Sequence, residues 1–174
     1  ILAVLFIAYG WYYQKNNPSP SANISQTDQN TENKDFQPGI AIGSEDAPVT
    51  IEEYTNFLCP ACAGFAQDTL PAIIDNYLKT GKVKMVFYIF PPLELGQAAL
   101  CAQEQNLFLE YHDYLFSHQE ELTKADDLKT IAEKVGLEKE TFNQCFDSKK
   151  HEGTAMAWYE QGIEKGVTAT PTFY

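Results

Sequence analysis

Apolar and polar positions change period several times along the chain, and each change predicts an element. Residues 49–54 (VTIEEY) alternate like a strand, with Val49, Ile51 and Glu53 on one face and Ala47-Pro48 as the turn before it. Residues 59–78 shift to helical spacing through Phe65, Ala66, Leu70, Ile73, Ile74 and Tyr77, and Gly81 marks the stop. Residues 83–90 (VKMVFYIF) form an apolar run that reads as a buried strand. Strand, helix and strand in this order predict a right-handed βαβ unit with parallel strands. After Pro91-Pro92, helical spacing resumes over 95–117, 124–135, 139–148 and 151–165. Thr123 with Asp126 resembles a capping box, and Gly136 and Gly166 stand where helices end. Thr170-Pro171-Thr172-Phe173-Tyr174 reads as a strand just begun, so a further strand and helix are expected beyond Tyr174.

The N-terminal stretches follow neither period. Residues 1–13 (ILAVLFIAYGWYY) are uncharged and apolar, close on Trp11, Tyr12 and Tyr13, and precede Lys15, like the interfacial end of a membrane span. At 1.5 Å per residue this run is too short for a hydrocarbon core of about 30 Å. Since residue 1 is not Met, the segment is expected to be the end of a longer one. An uncleaved anchor is favoured over a signal peptide, because no small-residue cleavage site follows the apolar run. Residues 14–38, rich in Asn, Ser, Gln, Thr and Pro, bury too little surface to offset the entropy of ordering and read as a flexible polar linker. The remainder, 39–174, is expected to be one globular domain.

Composition narrows the function classes. The chain has 174 residues, 44% of them hydrophobic, enough for one well-buried domain but not two. Its 24 acidic residues outnumber 12 basic ones, all Lys, and the net charge of -12 repels phosphate backbones. The largest basic cluster is Lys149-Lys150, so nucleic-acid binding is excluded.

The chemistry concentrates in Cys59-Pro60-Ala61-Cys62, at a strand-to-helix junction. A sulfur at a helix N-terminus meets unpaired N–H groups and the positive end of the helix dipole, which favour the Cys59 thiolate. Pro60 suits the first helical position, where no N–H is needed. A zinc site would require a second paired cluster, yet Cys101 and Cys145 stand apart, and c-type haem attachment needs a His where Ala63 stands. A redox dithiol is the favoured reading, and no metal or cofactor is called for.

The run 49–62 (VTIEEYTNFLCPAC), the later Thr170-Pro171-Thr172-Phe173 and the intervening 108–116 (FLEYHDYLF) resemble the DsbA-like branch of the thioredoxin superfamily. The resemblance covers 39–174 and implies an α/β thioredoxin fold with an all-helical insertion at about 95–165, truncated in its C-terminal β-strand region. It implies a protein thiol-disulfide oxidoreductase that forms disulfides in exported proteins. Substrates would be exported proteins carrying thiols, and a membrane quinone-linked partner would reoxidise the enzyme. The domain would lie outside the cytoplasm, on a cell membrane, held by the N-terminal anchor. By the same resemblance Cys59 is the exposed nucleophile, Cys62 the buried resolving cysteine, and Pro171 the cis-proline facing the dithiol. Thr170 would pair with an extended substrate, Pro60 and Ala61 would line its path, and Glu53 matches a buried carboxylate beneath the site. The phase of Glu53 with Val49 and Ile51 independently points it inward; the alternative is a surface Glu53 with Glu52 buried instead. Strongly oxidising relatives carry His where this chain has Ala61, which predicts a less oxidising pair.

Cys101 shares a helical face with Ala98, Ala102, Phe108, Leu115 and Phe116, and Cys145 one with Phe142 and Phe146. Both point into the insertion's core, where they form a structural disulfide or remain two buried thiols. His112 reads as a core histidine satisfied by a hydrogen bond, and His118 and His151 as loop or helix-end residues. Phe57, Leu58 and Phe65 are candidates for either a substrate groove or the core. Two alternatives stay open: a disulfide reductase or isomerase, and a non-catalytic thioredoxin-like peptide-binding module.

Overall fold

The computed structural model describes residues 38–174; the expected anchor at 1–13 and nearly all of the expected linker lie outside the described residues. Four strands form one mixed sheet: β1 (Ile40–Gly43), β2 (Val49–Thr55), β3 (Val83–Ile89) and β4 (Thr172–Phe173), in the order β1-β3-β2-β4. β2 and β3 are parallel over their full lengths, while β1 on β3 and β4 on β2 are antiparallel. Between β2 and β3 runs α1, continuous through Pro60–Gly64, Phe65–Thr69, Leu70–Ile73 and Ile74–Leu78. Between β3 and β4 lie five α-helices, α2 (Leu93–Glu104), α3 (Phe108–Ser117), α4 (Ala125–Lys134), α5 (Lys139–Asp147) and α6 (Glu152–Glu164), with a short 3-10 helix at Gln119–Glu121 after α3. This is the thioredoxin fold with an all-helical insertion.

Covering both faces of the sheet explains why β3 is apolar at nearly every position rather than alternating. Tyr54 stacks on Tyr88 at 4.7 Å, and both lie on the face that α6 covers with Trp158, 6.0 Å from Tyr88. The opposite phase carries Glu53 and Phe87, which are paired in register, and meets α3 through Phe108 and His112. Cys101 on α2 and Cys145 on α5 are joined by a disulfide inside the insertion.

Several boundaries differ from the pattern-based expectation. The stretch expected as one helix over 95–117 is two, separated at Asn106, whose φ of 58° is left-handed; Asn tolerates this conformation without the Gly or Pro that would mark a break. Pro71 falls inside α1, where it has no N–H to donate, and the helix widens into π-helical stretches at Phe65–Thr69 and Ile74–Leu78. The cap of α4 uses Asp127 rather than Asp126: its carboxylate accepts from the N–H groups of Thr123 and Lys124, both at 2.9 Å. β1 has no counterpart in the sequence reading, because four residues (IAIG) carry too short a period to register.

At Gly162, α6 lies against Phe90 and Tyr54: a Cβ there would strike the Phe90 ring and come within 3.0 Å of Tyr54. Gly162→Ala is therefore expected to destabilise the fold by about 1–3 kcal/mol through overpacking, despite the better helix propensity of Ala. Urea unfolding of the variant against the parent measures the difference.

Candidate active site

The site grows from the end of β2. Asn56 builds the turn: its Oδ1 accepts from the Leu58 N–H at 2.7 Å, its backbone carbonyl from the Cys59 N–H at 2.9 Å, and its Nδ2 donates to the Pro91 carbonyl at 2.6 Å. Cys59 then occupies the N-cap of α1 with extended backbone angles, and Pro60 follows as the first helical residue. The Cys59 side chain makes no capping hydrogen bond, so the sulfur sits beside helix N–H groups that would otherwise take a Ser or Asp oxygen. One turn on, Cys62 is completely buried, whereas Cys59 is half-buried and Pro60 and Ala61 are exposed. Both cysteines are free thiols.

Two segments distant in sequence hold this turn. The Cys59 Sγ lies 3.2 Å from the Thr170 carbonyl, and the Thr170–Pro171 peptide is cis. From the insertion, Gln119 Nε2 donates to the carbonyls of Phe57 at 2.7 Å and Cys59 at 3.1 Å. Neither Asn56 nor Gln119 is legible from motifs, since each works through backbone atoms. Thr55, fully buried at the end of β2, was likewise hidden behind its ordinary strand propensity.

The two thiols are electrostatically unlike. Partial burial raises the Cys59 pKa, but hydrogen bonding from the Thr170 side chain, from Cys62 and from the Ala61 backbone outweighs it and leaves the thiol below its ordinary value. Full burial pushes Cys62 above its ordinary value, partly offset by the Thr55 side chain and the Asn56 backbone. Of the adjacent glutamates, Glu53 is 1% exposed, while Glu52 pairs with Lys165 at the surface. Desolvation lifts Glu53 from 4.5 to about 7, with the Thr55 side chain pulling it back slightly.

The remaining candidates separate clearly. Phe57 is core, in an aromatic cage with His112 and Phe116. Leu58 is exposed, and Phe65 is half-buried against Phe173 at 4.6 Å. His112 is fully buried, with Nδ1 2.8 Å from Asp113, while His118 stacks on Tyr114 and His151 contacts Glu104 at 2.9 Å. His151 also lies near Cys101 and Cys145, their ligand atoms within 4.8 Å of one another, but the disulfide occupies both sulfurs.

The Glu53 displacement sets a pH dependence. The folded protein holds the Glu53 proton between 4.5 and about 7, where the unfolded chain has released it. The stabilising contribution is thus present below 4.5 and lost as pH rises through 7, about 3 kcal/mol over the window. Glu53→Gln cannot ionise and is expected to lose this slope, as urea unfolding at about pH 4.5 and about pH 8 will measure.

Comparison with known proteins places this geometry in a family. A family model described as Thioredoxin matches residues 35–174. Disulfide bond formation protein D of Bacillus subtilis is 26% identical over 168 residues, covering 86% of this chain and 75% of that protein. The Na(+)/H(+) antiporter NhaA 3 of Salinispora tropica is 32% identical over 139 residues; these are 76% of this chain but 21% of the antiporter's length. The crystal structure of Wolbachia pipientis alpha-DsbA1 superposes with a TM-score of 0.69 at 28% identity, covering 77% of this chain and 72% of that one. The chain belongs to the thioredoxin family, in its DsbA-like branch of thiol-disulfide oxidoreductases.

Proposed function

We propose that this chain oxidises thiols in exported proteins through the Cys59–Cys62 dithiol. The observation that carries the reading is the asymmetry of the pair: an accessible thiol with a lowered pKa at a helix N-terminus, one turn from a fully buried thiol with a raised one. In the disulfide form, a substrate thiolate attacks the accessible Cys59 sulfur and Cys62 leaves. A second substrate thiolate then attacks its own partner sulfur in the mixed disulfide, and Cys59 leaves as a thiolate. A low pKa makes Cys59 the better leaving group in that last step, which drives transfer towards the substrate.

Thr170 and Pro171 complete the platform. With the Thr170 carbonyl already 3.2 Å from the Cys59 sulfur, an extended peptide aligned along this segment brings its own cysteine into line for exchange. Beside it, a cavity of about 680 Å³ lined by Phe90, Pro91, Tyr159, Ile163, Val167 and Thr170 offers an apolar surface for substrate side chains. Glu53 acts as the acid and base for Cys62, its pKa of about 7 matching neutral conditions. The reading extends to place: residues 1–13 as membrane anchor, 14–38 as tether, and the domain outside the cytoplasm, reoxidised by a membrane quinone-linked partner that accepts two electrons per cycle.

Ala61 supports the second reading, a reductase or isomerase, because a methyl group adds nothing to thiolate stability. A reduction potential separates the oxidase from a reductase. Equilibration of residues 35–174 with glutathione buffers is expected to give about −120 to −180 mV, the span of strong oxidants and isomerases. A value at or below about −270 mV, the thioredoxin level, would sink the oxidase reading.

A further inference from the structure

Exchange at Cys62 moves a proton, and the route for that proton is not obvious. Cys62 is fully buried, so water does not reach it freely, and Glu53 is a buried carboxyl on the strand that leads to the site. The groups whose hydrogen bonding acts on Cys62 are Thr55, Asn56, Thr170 and Cys59, and the one acting on Glu53 is Thr55. An amide N–H such as that of Asn56 can stabilise a thiolate but cannot hand a proton on. A hydroxyl can, since it donates one hydrogen while accepting another.

Thr55 has the placement this requires. It follows Glu53 by two residues in β2, so both side chains project from the same face of the sheet. Both residues are buried, at 0% and 1% exposure. Among the described residues, Thr55 Oγ1 and Glu53 Oε2 have no hydrogen bond of ordinary geometry, although a buried hydroxyl and carboxylate normally find one. A buried hydroxyl committed to no fixed partner, which acts on both the Glu53 carboxyl and the Cys62 thiol, can turn from one to the other.

We infer that the Thr55 hydroxyl relays the proton between the Cys62 thiol and the Glu53 carboxylate. The inference rests on the oxidoreductase reading and extends it by one residue. When a mixed disulfide at Cys59 closes, Cys62 S–H gives its proton to Thr55 Oγ, and the original Thr55 hydroxyl proton passes to the Glu53 carboxylate. The Cys62 sulfur forms its bond to Cys59 Sγ, and the Cys59–substrate S–S bond breaks with the substrate leaving as a thiolate. In the opening direction the same protons return, from the protonated Glu53 through Thr55 to the departing Cys62 thiolate.

A single turnover of the reduced protein with the aromatic disulfide dithionitrobenzoate isolates the step. Attack by Cys59 releases one coloured thionitrobenzoate, and closure by Cys62 releases a second. The first release needs no proton from Cys62 and serves as the internal control. Thr55→Val, which keeps the shape and removes the hydroxyl, is expected to slow the second release about tenfold or more, and Thr55→Ser to restore it. On a Glu53→Gln background, Thr55→Val should slow closure no further, because the two residues act in series. Closure at the parent rate in Thr55→Val, or slowing that simply multiplies with that of Glu53→Gln, overturns the relay. Should Thr55→Val fail to fold, the parent in mixed H₂O and D₂O decides: two protons in flight curve the dependence of closure on deuterium content, and a linear dependence overturns the inference. A parent that reacts once and never releases a second thionitrobenzoate sinks the oxidoreductase reading and the relay with it, an outcome distinct from a fast Thr55→Val.

Discussion

The first backbone N–H groups of α1 cannot be satisfied within their own helix, and the chain leaves a sulfur beside them in place of a capping oxygen. Everything else at the site keeps that arrangement in position. Pro60 starts the helix without adding a further unpaired donor, and Asn56 closes the turn so that Cys59 enters at the N-cap. A Ser in the same place would accept a hydrogen bond and stabilise the helix. A sulfur accepts more weakly, and the stabilisation the helix forgoes goes instead to the thiolate.

This asymmetry separates two cysteines only three residues apart. The helix that exposes Cys59 at its first turn buries Cys62, on whose thiol the Thr55 side chain at the end of β2 acts. One thiol is thereby left accessible with a lowered pKa and the other buried with a raised one. Because both sit on one rigid turn, the difference needs no conformational change. Burial also explains why the nearby carboxyl is protonated near neutrality: the environment that raises the Cys62 pKa raises that of Glu53.

The sequence made the central features readable because they depend on local pattern. β2, α1 and β3 follow from periodicity, Cys59 and Cys62 from spacing, and the inward phase of Glu53 from alternation. What escaped it depends on contacts between distant segments or on very short ones. β1 is four residues long, and the break at Asn106 uses a residue that reads as helix surface. Thr55 looks like any β-branched strand residue until its partners on the sheet face are known. Gln119 acts on carbonyls 60 and 62 residues away, through a side chain with nothing catalytic about it.

That last contact ties the helical insertion to the candidate site. Gln119 follows α3, so the insertion grips the Phe57 and Cys59 carbonyls from one side. The Thr170 carbonyl, carried on the segment that leaves α6 for β4, approaches the Cys59 sulfur from the other. Cys59 is therefore held from two sides, by Gln119 in the middle of the insertion and by Thr170 after its last helix, while the Cys101–Cys145 disulfide ties α2 to α5 within the same insertion. The thioredoxin strands and α1 alone would supply the helix N-terminus and the two sulfurs. They would not supply the clamp on the loop between them, so the insertion is as much a component of the candidate site as the strand that carries Glu53.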